Sequence, residues 1–202
     1  MKTDYLELIK QIDIYTKENV KQKRYEHSVR VAQMCARLCR QFGIDENLGY
    51  LEGISHDMCK DMSDEELIEI SKRNKTPIIK YELEHPKILH GRAASVLLKE
   101  KFGINNQDIL QAVEVHTSGK IGMCDLAKIL FIADKIEPGR PQSTEEYRHN
   151  LLEMNLEKMF YTVLYESYEF INKKVQNGGY DIYPGTQEVL EYYKGKIDEK
   201  NS

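Results

Sequence analysis

Gly53-Ile54-Ser55-His56-Asp57-Met58-Cys59-Lys60-Asp61 is the stretch from which the chain is best read. It sets a neutral nitrogen donor, His56, directly before an anionic oxygen donor, Asp57. On a helix, consecutive side chains diverge by about 100°. The pair can therefore grip one metal ion from two sides, or leave the carboxylate free to bridge two. A lone His-Asp pair carries little weight. Reading outward in both directions supplies more: His27 before it, then His90, His116 and Asp134 after it, each in its own helix-like segment.

Those segments predict an all-α fold, because apolar residues recur at steps of three and four and alternating strand patterns are nearly absent. A first helix is expected from Tyr5 to Glu18, with Leu6, Ile9, Ile12 and Tyr15 on one face. A second runs from Gln22 to Phe42, stopped by Gly43, with His27, Val31, Met34 and Leu38 on its buried stripe. Asp45 should cap the helix carrying His56-Asp57, and Ser63-Asp64-Glu65-Glu66 has the form of a capping box. Pro86 starts a helix in which His90, Ala94 and Leu97 share a face. Asn106 caps one that reaches His116, and Leu126, Leu130 and Asp134 form a stripe broken by Pro138-Gly139. The longest helix is expected from Ser143 to Gly178-Gly179, and Thr186 should cap the last.

Composition narrows the class. The 202 residues suit one domain, residues 1–202, with its core at about 22–140 and helices over about 144–199 completing it. No run of about 18 apolar residues exists to span a membrane, and the N-terminus lacks a signal-type apolar core. Four cysteines without secretory features point to reduced thiols in the cytoplasm, with Cys35 and Cys39 more simply packed than metal-bound. A net charge of −4 without a basic tract argues against a broad nucleic-acid surface. A homodimer is compatible with the sequence.

The order H…HD…H…H…D resembles the HD-domain superfamily of metal-dependent phosphohydrolases. The words His56-Asp57-Met58-Cys59-Lys60-Asp61, Leu89-His90-Gly91, Val115-His116-Thr117-Ser118-Gly119, Ala133-Asp134-Lys135-Ile136-Glu137-Pro138-Gly139-Arg140 and Tyr183-Pro184-Gly185-Thr186 are similar to its YqeK-type branch. The resemblance implies a helical bundle with its metal site between helices. It also implies symmetrical hydrolysis of diadenosine tetraphosphate to two ADP. The chain departs from the family wording at Met58-Cys59 and at Lys135, where an aromatic-plus-small pair and a tyrosine are usual.

A carboxylate on a core stripe is costly unless paired or coordinated, and Asp134 is the clearest case. His27, His56, Asp57 and Asp134 are the expected first metal set. His90 and His116 either ligate a second ion bridged by Asp57 or hydrogen-bond phosphate directly. Mixed imidazole and carboxylate ligation suits transition metals, iron first, then manganese or another divalent ion, one or two per chain. Asp57, Lys60 and Arg140 are the expected catalytic residues. Arg30, Lys60 and Arg140 would neutralise phosphate, with Thr117 beside them. By resemblance, the loop from Asp57 through Asp61 to Ser63, and Tyr183, Pro184 and Thr186, would contact the nucleoside and its phosphates. His85 and His149 match no motif position. The alternatives are another HD phosphohydrolase, acting on a nucleoside phosphate or cyclic dinucleotide, and a non-catalytic nucleotide sensor. The Gly-Tyr-Pro word tied to cyclic di-GMP cleavage is not supplied by Tyr180-Asp181-Ile182-Tyr183-Pro184-Gly185.

Overall fold

The computed structural model describes residues 5–177 and 182–200. Among the described residues there are eleven α-helices, one 3-10 turn and no strand. They are α1 (Tyr5–Asn19), α2 (Gln22–Gln41), α3 (Glu46–Ser55), α4 (Asp64–Ser71), α5 (Lys80–Glu84), the 3-10 turn Pro86–Leu89, α6 (His90–Glu100), α7 (Gln107–Val115), α8 (Asp125–Ile136), α9 (Glu145–Leu152), α10 (Leu156–Gln176) and α11 (Thr186–Lys200). Among these residues no helix is long and apolar enough to cross a membrane.

Local chemistry explains most boundaries. Asp45, Ser63 and Asn106 each accept backbone N–H bonds as caps, and Ser63 with Glu66 closes a full capping box. Gly43, Gly103 and Gly119 take positive φ where helices stop. Four expectations need correction. Leu6 is exposed, so the inner face of α1 is set by Ile12 and Thr16. The long helix expected from Ser143 is two helices. Thr144, not Ser143, caps α9 by accepting from Tyr147 N, and Asn155 caps α10 by accepting from Lys158 N, so the chain turns at Glu153-Met154. The expected stop at Gly178-Gly179 lies outside the described residues, as do Tyr180 and Asp181. Thr186 is the first residue of α11, and its hydroxyl donates backward to the Tyr183 carbonyl instead of capping an amide (2.7 Å).

The fourth correction bears on the site. His56 and Asp57 lie just past α3, not inside it. The Ser55 hydroxyl donates to the Leu51 and Glu52 carbonyls, and the chain continues through successive turns, Met58 N to Ser55 O and Lys60 N to Asp57 O. His116 likewise follows the last residue of α7.

Two glycine crossings position these ends. A Cβ on Gly53 would sit 2.4 Å from Ala32 Cα, and one on Gly49 2.6 Å from Cys39 Sγ, so α3 lies directly against α2. A Cβ on Gly91 would meet the Val113 carbonyl at 2.6 Å and His116 Nδ1 at 3.0 Å, so α6 lies against α7 in the same way. The first crossing brings His56 to His27, the second His90 to His116. Helix α8, almost wholly buried, lies against α2, α3 and α7, and α10 covers its far side. Cys35, Cys39 and Cys59 are buried free thiols packed in the core. Glu52, in the same α2–α3 layer, is fully buried and neither carboxyl oxygen has a hydrogen-bond partner. Burial, with Asp108 adding, pushes that carboxyl well above its ordinary range.

Candidate metal centre

Four imidazoles and two carboxylates converge where α2, α8 and the ends of α3 and α7 meet the start of α6. They form two triads that share Asp57. In each, the donor atoms lie within 4.8 Å of one another: His27, His56 and Asp57 in the first, Asp57, His90 and His116 in the second. The Asp57 carboxylate divides between them. Its Oδ1 is 3.1 Å from His90 Nε2 and 3.8 Å from His116 Nε2, while its Oδ2 is 3.8 Å from His56 Nε2. Asp134 joins the first triad, with Oδ1 3.0 Å from His27 Nε2 and 3.9 Å from His56 Nε2.

Hydrogen bonding fixes what these rings present. The Nδ1 atoms of His56, His90 and His116 lie 2.7, 2.7 and 2.8 Å from the carbonyls of Gly53, Lys87 and Val113. A carbonyl can only accept, so each Nδ1 is protonated, and Nε2 is the nitrogen each ring turns inward. His56 Nε2 is buried with no hydrogen-bond partner. His90 Nε2 and His116 Nε2 face each other at 3.0 Å. Burial, then His90 and His56, holds the His116 imidazole well below its usual range. Burial also lowers His56 against the pull of Asp57 and Asp134. Imidazole nitrogens turned inward around a shared carboxylate suit a divalent transition-metal cation, which takes the place of a proton there.

The carboxylates are charged despite burial. Burial alone would raise Asp57; His56, His90 and Lys60 outweigh it and hold the group well below the usual carboxylate range. Lys135, His27, His56 and Arg140 do the same for Asp134. Behind the first triad, Glu137 Oε1 sits 3.0 Å from His27 Nδ1, while Glu137 itself accepts from Arg30 Nε (2.5 Å) and Gly139 N (2.5 Å).

The centre opens into a cavity of about 430 Å³ lined by five cations: Lys23, Arg24, Lys60, Lys135 and Arg140. Lys60 Nζ lies 3.1 Å from both ring nitrogens of His90. Arg140 donates from Nη2 to Asp134 Oδ1 (2.5 Å) and from Nε to the Asp134 carbonyl (2.7 Å). Lys135 Nζ donates to Asp134 Oδ2 (2.9 Å) and the His116 carbonyl (3.1 Å), above the Phe131 ring. Thr117 Oγ1 is 3.3 Å from His116 Nε2 and 3.5 Å from His90 Nε2.

Other residues named from sequence fall elsewhere. Arg30 lies outside the cavity lining, its guanidinium held by Glu137. Asp61 accepts from Lys21 N and Arg24 Nε, and Ser63 is engaged as the cap of α4. Tyr183, Pro184 and Thr186 line a neighbouring groove of about 510 Å³ that meets the metal cavity at Thr117. His85 and His149 are exposed and remote from the cluster. Sequence reading missed Arg24, which donates to Asp57 Oδ2 (3.0 Å), along with Lys135 and Glu137 as working groups. Glu137 stood inside the quoted Ala133–Arg140 word, and Arg24 one turn before His27; those placements were the available signals.

A family model described as HD domain matches residues 24–139. The symmetrical bis(5'-nucleosyl)-tetraphosphatase of Staphylococcus aureus is 30% identical over 181 residues, which is 88% of this chain and 90% of that protein. The Bacillus subtilis protein of the same name is 31% identical over 171 residues, 84% and 89% respectively. A crystal structure from Clostridium acetobutylicum, of a predicted HD superfamily hydrolase involved in NAD metabolism, superposes with a TM-score of 0.82. Its identity is 29%, over 93% of this chain and 97% of that one.

Proposed function

The chain belongs to the HD domain family, and on that footing we propose that it hydrolyses diadenosine tetraphosphate at its centre, releasing two ADP. The observation that carries this reading is a carboxylate shared by two histidine triads, set in a cation-lined cavity with nucleoside-sized spaces on its flanks. One is the groove reached through Thr117. The other adjoins it along Ile88, Ser118, Tyr183 and Thr186, a pocket of about 280 Å³ that shares Lys135 and Thr117 with the cavity and is walled by Phe131, Leu164, Phe170 and Ile171. A polyphosphate seated on the cations, with a nucleoside reaching into these spaces, would put its central anhydride beside Asp57. The symmetrical phosphatases of Staphylococcus aureus and Bacillus subtilis support the same cleavage position.

His27, His56, Asp57 and Asp134 would hold the first ion, and Asp57, His90 and His116 a second. Bound there, a transition metal supplies an acidified water and a Lewis-acid contact for a phosphoryl oxygen. We take iron as the resident ion, with manganese able to replace it, since mixed imidazole and carboxylate sets suit both.

The chain's own groups do the rest. Lys60, Lys135, Arg24 and Arg140 offset charge on the non-bridging oxygens and on the departing ADP. Their own partners, His90, Asp134 and Asp57, hold them in place before substrate arrives. Asp57, kept well below the ordinary carboxylate range, is a poor proton acceptor and serves to orient the attacking water. Water adds to one central phosphorus, the bridging P–O bond breaks with its electron pair on the leaving ADP, and the proton goes to solvent. Helices α10 and α11 border the apolar flank, which supports reading residues 1–202 as one domain. Four unpaired cysteines favour a reducing cytoplasm.

The test is an anaerobic assay of the iron- or manganese-loaded protein, offering diadenosine tetraphosphate beside ATP and a cyclic dinucleotide. ADP as the sole product of the first substrate is expected. AMP with ATP would refute central cleavage, and turnover of another substrate alone would move the function elsewhere within the family.

A further inference from the structure

The metal cavity runs between two exits. Thr117 stands at the second triad, its Oγ1 beside His116 Nε2 and His90 Nε2, and the groove and the apolar pocket both meet the cavity there. Arg140 stands at the first triad, bonded to Asp134 and 3.4 Å from His27 Nε2. Asp57, shared by the triads, lies between them. A polyphosphate cut at its centre beside Asp57 must extend both ways, and the Thr117 spaces serve one of them.

The other way leads to a third space, of about 480 Å³. Arg140 and Lys135 form the rim that it shares with the metal cavity, and α9 and α10 supply its walls. Across the turn between these helices, the Tyr147 hydroxyl donates to the Glu166 carboxylate. Tyr147 and Phe170 give the space two aromatic rings. Phe170 and Ile171, which also form the ridge toward the apolar pocket, are 60% and 37% exposed. Beyond the rim, Glu166 is the one charged side chain among the described lining residues. Cations thus come first, then aromatic and apolar walls with a carboxylate. That order suits a nucleotide entering phosphate first. The rim holds a phosphate, Glu166 repels one further in, and an uncharged base covers the rings.

We infer that this α9–α10 pocket is the second nucleoside subsite. One half of the substrate leaves the metal cavity past Thr117 and the other past Arg140, with Tyr147 and Phe170 against its base. This rests on the dinucleotide-hydrolase reading above. It gives the chain a reason to favour a tetraphosphate with a nucleoside at each end over one with a single nucleoside.

Calorimetric binding to the metal-loaded protein tests this with two probes whose central bridging oxygen is replaced by methylene, so that neither is cleaved there. One is a diadenosine tetraphosphate, the other an adenosine tetraphosphate. Wild type should bind the first about tenfold more tightly. Tyr147→Leu should bring the first probe down to the affinity of the second, leaving the second probe and the metal content unchanged, which also shows that the variant is folded. Tyr147→Trp should keep the preference. The chain has no other tryptophan, so the emission of the new indole should report directly, quenched when the two-nucleoside probe binds. The inference is overturned if wild type binds the two probes alike, if Tyr147→Leu keeps the preference or weakens both probes equally, or if the indole of Tyr147→Trp does not respond. Failure of wild type to cleave diadenosine tetraphosphate to ADP, with the preference and the quenching intact, would overturn the proposed reaction and leave the subsite standing.

Discussion

The two triads around Asp57 are built alike and supported differently. Each comes from a pair of helices pressed together at a glycine, Gly53 against Ala32 for one and Gly91 against Val113 for the other. Behind the first stands a carboxylate relay, Glu137 to His27, braced by Arg30 and by Gly139 N. Behind the second stand only backbone carbonyls, and its two histidines confront each other at 3.0 Å with Lys60 against one ring. An anionic relay behind a ring strengthens that imidazole as a donor, and among the described residues the first triad has one and the second has none. The first triad should therefore bind its ion tightly, and the second should bind loosely and work with phosphate.

Asp57→Asn attacks the one residue both triads share, so turnover should fall on the order of 10³-fold or more, read as ADP release. Near-normal activity in a fully metallated variant would remove Asp57 from its role. Single deletions then divide the halves. By elemental analysis, His56→Ala should lose all tightly bound metal, while His90→Ala should keep one ion per chain and lose the weaker one. Equal retention in both variants would erase the asymmetry. Glu137→Gln should weaken metal binding by about 10- to 100-fold in a chelator competition, whereas removing the Lys60 ammonium with Lys60→Met should leave the first ion in place. The crossings give the smallest effects. Gly53→Ala and Gly91→Ala should each cost about 1–3 kcal/mol through overpacking, seen as a lowered Tm in denaturation of metal-free protein.

Much of this layout could be read in the sequence because it is local. Asp45, Ser63 and Asn106 cap helices through bonds to amides two or three residues on, and the three-and-four spacing of apolar residues follows from helix geometry. Most of the donor set could be read for a related reason: His27 and Asp134 sit on buried stripes, where a polar group must have a purpose. What stayed hidden depends on distant partners. Nothing near Arg24 says that its guanidinium reaches Asp57, 33 residues on, and nothing near His27 says that Glu137, 110 residues on, will back it. The break between α9 and α10 was missed because apolar periodicity continues through Asn155, whose amide side chain gave the only local sign of a new start. Lys135 was noticed as a departure in wording, yet its reach to both Asp134 and the His116 carbonyl requires α7 and α8 side by side.

Glu52 carries a consequence far from the metal. With no partner for either oxygen inside the α2–α3 layer, this glutamate keeps its proton to a higher pH in the folded chain than in the unfolded one. Folding is thus also a proton uptake. From the unfolded glutamate value of about 4.3 up to the raised folded value, each pH unit removes about 1.4 kcal/mol of stability. Asp57 and Asp134 bind fewer protons when folded than when unfolded only at acid pH, and the lowered His56 and His116 oppose Glu52 only up to about the unfolded histidine value of 6.5, so the dependence shows most clearly just above neutrality. The heat of unfolding should then vary with the ionisation enthalpy of the buffer, and Glu52→Leu should shift that variation and the pH slope by about one proton's worth, leaving what the histidines and cysteines contribute.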